Sequence, residues 1–295
     1  MNLPKQKIVL LNYFSNFFRT FAANFVYMKK SIIYLALCAM SCGFWGCGEY
    51  TKLLKSTDSE LKFNKAIEYF NKRKFIQSQT LLNDIKSYYK GTERSQEVLY
   101  YLAQSYYCQK DYLTASQYFE TYMRTYPRGT YAAEAKFLIG KCYFLDSPDA
   151  RLDQSTTNQG INAIQDYIDM FPEDEHVPEA VKMLDELNDK LAYKQLLNAK
   201  LYYNLGNYLG NNYLSAIIEA QNTLKNFPST KYREELSFII LQAKYTQATN
   251  SIEEKRKERY QDTVDEYYSF INEFPEGKNR SVADKIFQEA SKNTK

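Results

Sequence analysis

The feature that most constrains this chain is a repeat of 37 residues that writes one helix pair twice between Ser59 and Pro127. Moved back by 37 positions, Ala103, Tyr106, Tyr112, Ala115 and Phe119 fall on Ala66, Tyr69, Phe75, Ser78 and Leu82. Moved forward by the same 37, Ala103 and Tyr106 fall on Gly140 and Tyr143, so three first helices share one register. The physical reason is packing. Small residues (Ala66, Ala103, Gly140) let two helices approach, and a large residue one turn later on the same face (Tyr69, Tyr106, Tyr143) fills the gap beside them. One such pair cannot bury its apolar side alone, so copies must stack.

The second copy carries the fullest set: Leu99, Leu102, Ala103, Tyr106, Ala115, Phe119 and Pro127. Their spacing resembles the tetratricopeptide pattern, with Leu99 where that pattern has Trp. The fold class this implies is all-α, a right-handed α-solenoid of about five tetratricopeptide-like helix pairs. Four aromatic-proline dipeptides mark where second helices end: Tyr126-Pro127, Phe171-Pro172, Phe227-Pro228 and Phe274-Pro275. Proline stops a helix and the ring before it covers the end. Between the first two of these the interval is 45 residues, and the excess is expected as loop between Leu145 and Gly160, including Ser155 to Asn158. The next interval is 56 residues, so a helix from about Glu179 to Tyr208 is expected to be either extended or broken. A fifth pair spans about Lys231 to Pro275, and a helix over Ser281 to Ala290 with a polar tail fits a cap.

The N-terminus has a different character. Residues 1–46 hold Lys5, Lys7, Arg19, Lys29 and Lys30 and no acidic residue. Without them the formal charge of +3 becomes 33 basic against 35 acidic residues, a balance that calls for no nucleic-acid partner. Met28-Lys29-Lys30 followed by the apolar run Ser31 to Met40 reads as a secretory signal, too short to span a bilayer comfortably. Gly46-Cys47 then resembles a bacterial lipobox, with Cys47 as the lipidated residue and Cys42 as the competing site. The resulting domain reading is 1–46 for extension and signal with Met28 the better start, 47–58 for a lipidated tether, 59–172 for repeats one to three, and 173–295 for repeats four and five with the cap. Cys108 and Cys142 sit on neighbouring first helices and read as buried thiols.

Little here suggests catalysis. The single histidine, His176, lies in the polar stretch Glu173-Asp174-Glu175 after a helix end and reads as a surface residue. No phosphate loop, dinucleotide turn, nucleophile elbow or zinc-protease motif occurs in the sequence, so no catalytic residue, metal site or cofactor is expected.

A binding surface is better supported. Phe63, Tyr100 and Phe137 recur at 37 residues, and so do Phe70, Tyr107 and Phe144. Within each helix the two rings are seven residues apart and share a face. In the tetratricopeptide architecture these positions line the concave groove, so the resemblance implies six rings along it. Such a surface suits an extended peptide with an aromatic side chain or terminus. Each ring taken singly is equally well explained as part of a Tyr-rich core. Glu60, Glu97 and Glu134 also recur at 37, and the helix dipole accounts for them.

The lipobox-like Cys47, the segment Gly48 to Lys55 running straight into the first repeat, the five repeats, and Asn250-Ser251-Ile252-Glu253-Glu254-Lys255 together resemble the BamD lipoproteins of the outer-membrane β-barrel assembly machinery, in their Bacteroidetes form. That resemblance implies a non-catalytic scaffold, lipid-anchored at the periplasmic face of the outer membrane. It implies N-terminal repeats that recognise unfolded outer-membrane β-barrel proteins, a role that matches Phe63, Phe70, Tyr100, Tyr107, Phe137 and Phe144. It also implies C-terminal repeats that dock on the POTRA region of BamA, here the stretch holding Leu236, Lys244, Tyr245, Arg256 and Tyr260. Proteobacterial members carry a basic residue where this chain has Thr246. Two other classes fit the sequence features: a periplasmic repeat adaptor of cell-envelope constriction, and a glycan-binding lipoprotein of the SusD type.

Overall fold

The computed structural model describes residues 45–294. The signal segment, the start at Met28 and Cys42 lie outside the described residues, as does the side chain of Cys47. The contacts divide the chain into two compact units, residues 1–65 and 66–295, with the division inside a helix.

In the first unit, Trp45–Lys55 forms helix α1 and Ser59 opens helix α2, Ser59–Asn71. Asp58 caps α2 by accepting from the backbone N–H of Leu61 at 2.9 Å. Lys62 donates its ammonium to the carbonyl of Leu54 at 3.0 Å, satisfying an end-of-helix acceptor that would otherwise lack a partner. Leu53 and Phe63 are both buried.

The second unit continues α2 and adds α3 (Phe75–Ile85), α4 (Arg94–Cys108), α5 (Tyr112–Thr125), α6 (Ala132–Asp146), α7 (Ser155–Met170), α8 (Val177–Leu205), α9 (Asn212–Asn226), α10 (Arg233–Thr249), α11 (Glu253–Glu273) and α12 (Arg280–Lys292). Among the described residues all regular structure is helical. From α3 onward each helix packs on its neighbour in sequence, and α6, α8, α10 and α12 also touch at every second step. That is the contact pattern of stacked helix pairs, in which first helices line up beside first helices.

The small positions do what their spacing predicts. Ala66 and Ala103 are fully buried, and Gly140 on α6 lets α7 come so near that a Cβ there would lie 2.7 Å from the Ile164 side chain. The tyrosines a turn later lie at the seams: Tyr106 stacks on Tyr118 of α5 at 5.2 Å, and Tyr143 donates its hydroxyl to Glu120 at 2.9 Å. Cys142 is fully buried and Cys108 half-buried, both free thiols, and burial pushes Cys142 up to about 12.

Two lengths in the sequence resolve here. The long interval to Pro228 is filled by α8, a continuous helix of 29 residues. Its first half places Ala180, Met183 and Leu187 in the aromatic-rich core shared with α4 to α7. Its second half places Leu196 and Ala199 in a separate core with α9 and α10. The excess in the third repeat is the loop 147–154, shorter than expected, because Ser155 to Asn158 form the first turn of α7 instead of loop. The reason is local bonding: Asn158 returns its amide to the carbonyl of Gln154 at 3.1 Å, and buried Thr157 bonds both Gln154 and Ser147. Small polar residues favour such helix starts as much as they favour loops.

Candidate functional site

The two rows of rings separate by depth. Tyr100 is 6% exposed and Phe137 3%, so both belong to the core. Phe63, in the first unit, is also buried, at 5% exposed. Phe70, Tyr107 and Phe144, one row further along the helices, are half-buried and keep ring surface in solvent. The heptad spacing places both rows on one stripe, but depth depends on what the neighbouring helix contributes. Of the two rows, only the second is open to solvent.

The core row is held by a device repeated at successive junctions. Tyr100 on α4 stacks flat on Tyr131, centroids 4.0 Å apart and planes 10° apart. Phe137 on α6 stacks in the same way on His176, at 4.6 Å and 20°. Tyr193 on α8 meets Tyr232 at 5.2 Å. Tyr131, His176 and Tyr232 each stand four residues after the proline of an aromatic-proline dipeptide, at the N-cap of the next first helix. His176 is therefore a half-buried stacking residue and not a free surface histidine. The signal was present in the sequence as a ring four residues past three of the four dipeptide prolines, with Asn279 in that place after Pro275.

Polar side chains fix the same junctions. Tyr122 and Tyr167, both fully buried, stand five residues before their prolines. The Tyr122 hydroxyl accepts from the backbone N–H of Tyr131 at 3.1 Å, and the Tyr167 hydroxyl donates to Asp174. Burial raises the Tyr167 phenol above its usual range, and the bond from that phenol holds the Asp174 carboxyl below its own. At the next two junctions Asp189 accepts from Thr230 at 2.7 Å and Glu234 accepts from the backbone of Asn279 at 2.9 Å.

Around the exposed row, Phe70 meets Phe75 and Tyr101 edge-on, each at 5.4 Å, and Tyr107 meets Tyr112 at 5.7 Å. The Phe70–Phe75 and Tyr107–Tyr112 pairs are one contact repeated 37 residues on, so the two rings are held at equivalent angles. Burial pushes the Tyr107 phenol up to about 12. The ion pair Lys141–Glu179, at 2.9 Å, links α6 to α8, with the Lys141 ammonium also 5.2 Å from the Phe137 ring. Gln104 donates to the hydroxyl of Tyr100 at 2.7 Å and to Glu134 at 3.4 Å.

The residues assigned to partner docking are scattered in depth. Leu236 is fully buried in the core of α8, α9 and α10, and Tyr260 is 6% exposed beside Ala248 and Ala290. Neither reaches a partner directly, because each fills the space between helices. Lys244 is paired with Glu266 at 2.7 Å. Tyr245 and Arg256 are half-buried, and Arg256 bonds Glu253 and the carbonyl of Ser251 while its Nε is buried without a hydrogen-bond partner.

Among the described residues no group of His, Cys, Asp or Glu is arranged to hold a metal ion, and no helix is long and apolar enough to cross a membrane. What the geometry defines is a helix-pair repeat scaffold with rigidly pinned junctions and a half-exposed row of rings. The sequence matches the YfiO family, described as outer membrane lipoprotein, over residues 55–260, more than half of the chain, and the chain belongs to that family. It is 25% identical to outer membrane protein assembly factor BamD of Caulobacter vibrioides over 62% of this chain and 57% of that one. It is 28% identical to the putative assembly factor BamD of Aquifex aeolicus over 59% of this chain and 55% of that one, and 21% identical to BamD of Rickettsia prowazekii over 61% and 70%. The matches span little more than half the length of the first two relatives. A solved complex of the TPR2AB domain of yeast Sti1 is similar at 15% identity with a TM-score of 0.35, over 79% of this chain and 98% of that one.

Proposed function

We propose that this protein is a non-catalytic scaffold of outer-membrane β-barrel assembly, lipid-anchored through Cys47 at the periplasmic face of the outer membrane. The observation that carries the reading is the family match over residues 55–260, together with relatives named as assembly factors. In this reading the half-exposed rings Phe70, Tyr107 and Phe144 contact aromatic side chains of unfolded barrel proteins. Tyr100 and Phe137 position that row from behind. The C-terminal repeats meet the POTRA region of BamA through the accessible residues Lys244, Tyr245 and Arg256, while Leu236 and Tyr260 hold their helices in place.

The test is purification of the tagged, lipidated protein from gently solubilised envelopes, with the co-purifying chains identified by mass spectrometry. A POTRA-bearing barrel in near-equal amount is expected. Recovery of a glycan transporter or a division protein in its place overturns the assembly role. For the ring row, Phe70→Ala with Tyr107→Ala is expected to weaken binding of a peptide ending in an aromatic residue by tenfold or more, since stacked rings contribute about 1 kcal/mol each. Unchanged binding by a folded double variant removes these rings from the site.

A further inference from the structure

The connection between α8 and α9 differs from the short within-pair turns. Three residues link α2 to α3 and α4 to α5, each with one left-handed residue, Arg73 at φ 57° and Lys110 at φ 64°. Six residues, 206–211, link α8 to α9. The lengthened turn presents Tyr208, 68% exposed, and Leu209, 91% exposed, the latter at φ 53°, a conformation that side chains other than glycine seldom adopt. Inserted turns are ordinarily polar, so two outward apolar residues on a strained backbone call for a reason.

The turn is also tied to its own backbone. Gly206 at φ 56° ends α8, the N–H of Asn212 donates to the carbonyl of Gly206 at 2.9 Å, and its side chain donates to the carbonyl of Tyr208 at 2.7 Å. No charged residue occurs from Leu201 to Ile218, in a chain that is 25% charged. Within that stretch Leu201, Leu205, Leu214 and Ile218 are exposed as well. The end of α8 meets α10 at Tyr203 and Thr246, and the connection after α10 is uncharged up to Ile252, itself 63% exposed.

We infer that the α8–α9 turn is a membrane-contact tip that seats Tyr208 and Leu209 in the interfacial layer of a lipid bilayer. A stable protein interface covers about 800 Å² on each partner, far more than a two-residue convex tip provides. A bilayer interface has no such threshold: a tyrosine ring sits at headgroup level and a leucine just beneath it, and missing charges spare their desolvation. The chain belongs to a family of outer membrane lipoproteins, so a bilayer is the surface such a tip meets. A second contact besides an acyl chain would fix how the repeats are oriented on that surface. The inference uses the family's membrane setting and is independent of the assembly role.

The test places an environment-sensitive fluorophore on the lipidated full chain in phosphatidylethanolamine–phosphatidylglycerol vesicles, with Cys108→Ser and Cys142→Ala as background. Labelled through Leu209→Cys, it is expected to shift to the blue and to be quenched by a lipid carrying a shallow spin label. The same label at Ser229→Cys, in an exposed connection at the opposite helix ends, is expected to remain water-like. A water-like, unquenched signal at residue 209 overturns the proposal, and so does a shift that appears only when envelope proteins are added to the vesicles. A label-free arm measures vesicle partitioning of the Cys47→Ser chain, in which Tyr208→Ser with Leu209→Ser is expected to lose about tenfold at unchanged thermal stability. Equal partitioning of the two chains also overturns it.

Discussion

The connections between helix pairs and those within a pair are built on opposite plans. Between pairs, an aromatic-proline dipeptide, a stacked ring and a polar side chain hold one geometry at α5–α6 and α7–α8, with variations at α9–α10. Within pairs, no ring stack recurs: two turns carry a side-chain cap, Asp111 accepting from Thr114 at 3.2 Å and Asn211 accepting from Leu214 at 3.3 Å, and the flanks of such turns expose aliphatic residues such as Ile76 and Leu113. Both insertions, 147–154 and the enlarged 206–211, fall within pairs. Stacking geometry is thus fixed at one set of helix ends, and the other set is left free to change length.

The comparison breaks first at the rings. Tyr167→Ala removes a fully buried side chain packed on Phe137 and Phe171 and frees Asp174, and should cost about 3–5 kcal/mol in a urea melt. Gly129→Ala, in the α5–α6 connection, would drive a methyl group into the hydroxyl of Tyr122 and the side chain of Tyr126, and should cost about 1–3 kcal/mol by overpacking.

Acid sharpens the comparison. The Asp174 carboxyl is held below its usual value mainly by the Tyr167 hydroxyl, and then by the backbone N–H of His176. A depressed carboxylate contributes stability that is present above its unfolded pKa of about 3.9 and is lost as pH falls through its folded value. Melts below pH 4 should therefore show a steeper loss for the wild type than for Asp174→Asn, whose acid limb flattens. Equal slopes would mean the bond contributes nothing. The smallest effects belong within pairs: Asp111→Ala should cost about 1 kcal/mol through the lost cap, and exposed Leu113→Ser should stay within about 0.5 kcal/mol of zero.

Much of this was readable in the residues, for reasons of period. The 37-residue offset gave the register of the first helices, and Gly140 shows why the small position is there. The prolines located the ends of second helices, since a residue that cannot continue a helix marks a boundary whatever surrounds it. Depth was not readable. Tyr100 and Tyr107 lie on one stripe of one helix, yet Tyr131 covers the first and solvent reaches the second, a difference set by a residue in the next repeat. Leu236 and Tyr260 went the same way, because a position near the end of an array looks exposed in sequence until the helix that covers it is placed. The start of α7 was hidden because Ser155, Thr156, Thr157 and Asn158 suit a helix N-terminus and a loop alike.

Helix α8 contributes to two hydrophobic cores along one uninterrupted rod. In a stacked array each unit is stabilised by its own contacts and by those with its nearest neighbours, and unfolding can stop wherever a neighbour term is weak. Here the midpoint is no such stopping place. Melting either half would leave Ala180 to Leu187 or Leu196 to Ala199 as bare helix without a core, so the two halves are tied into one folding transition.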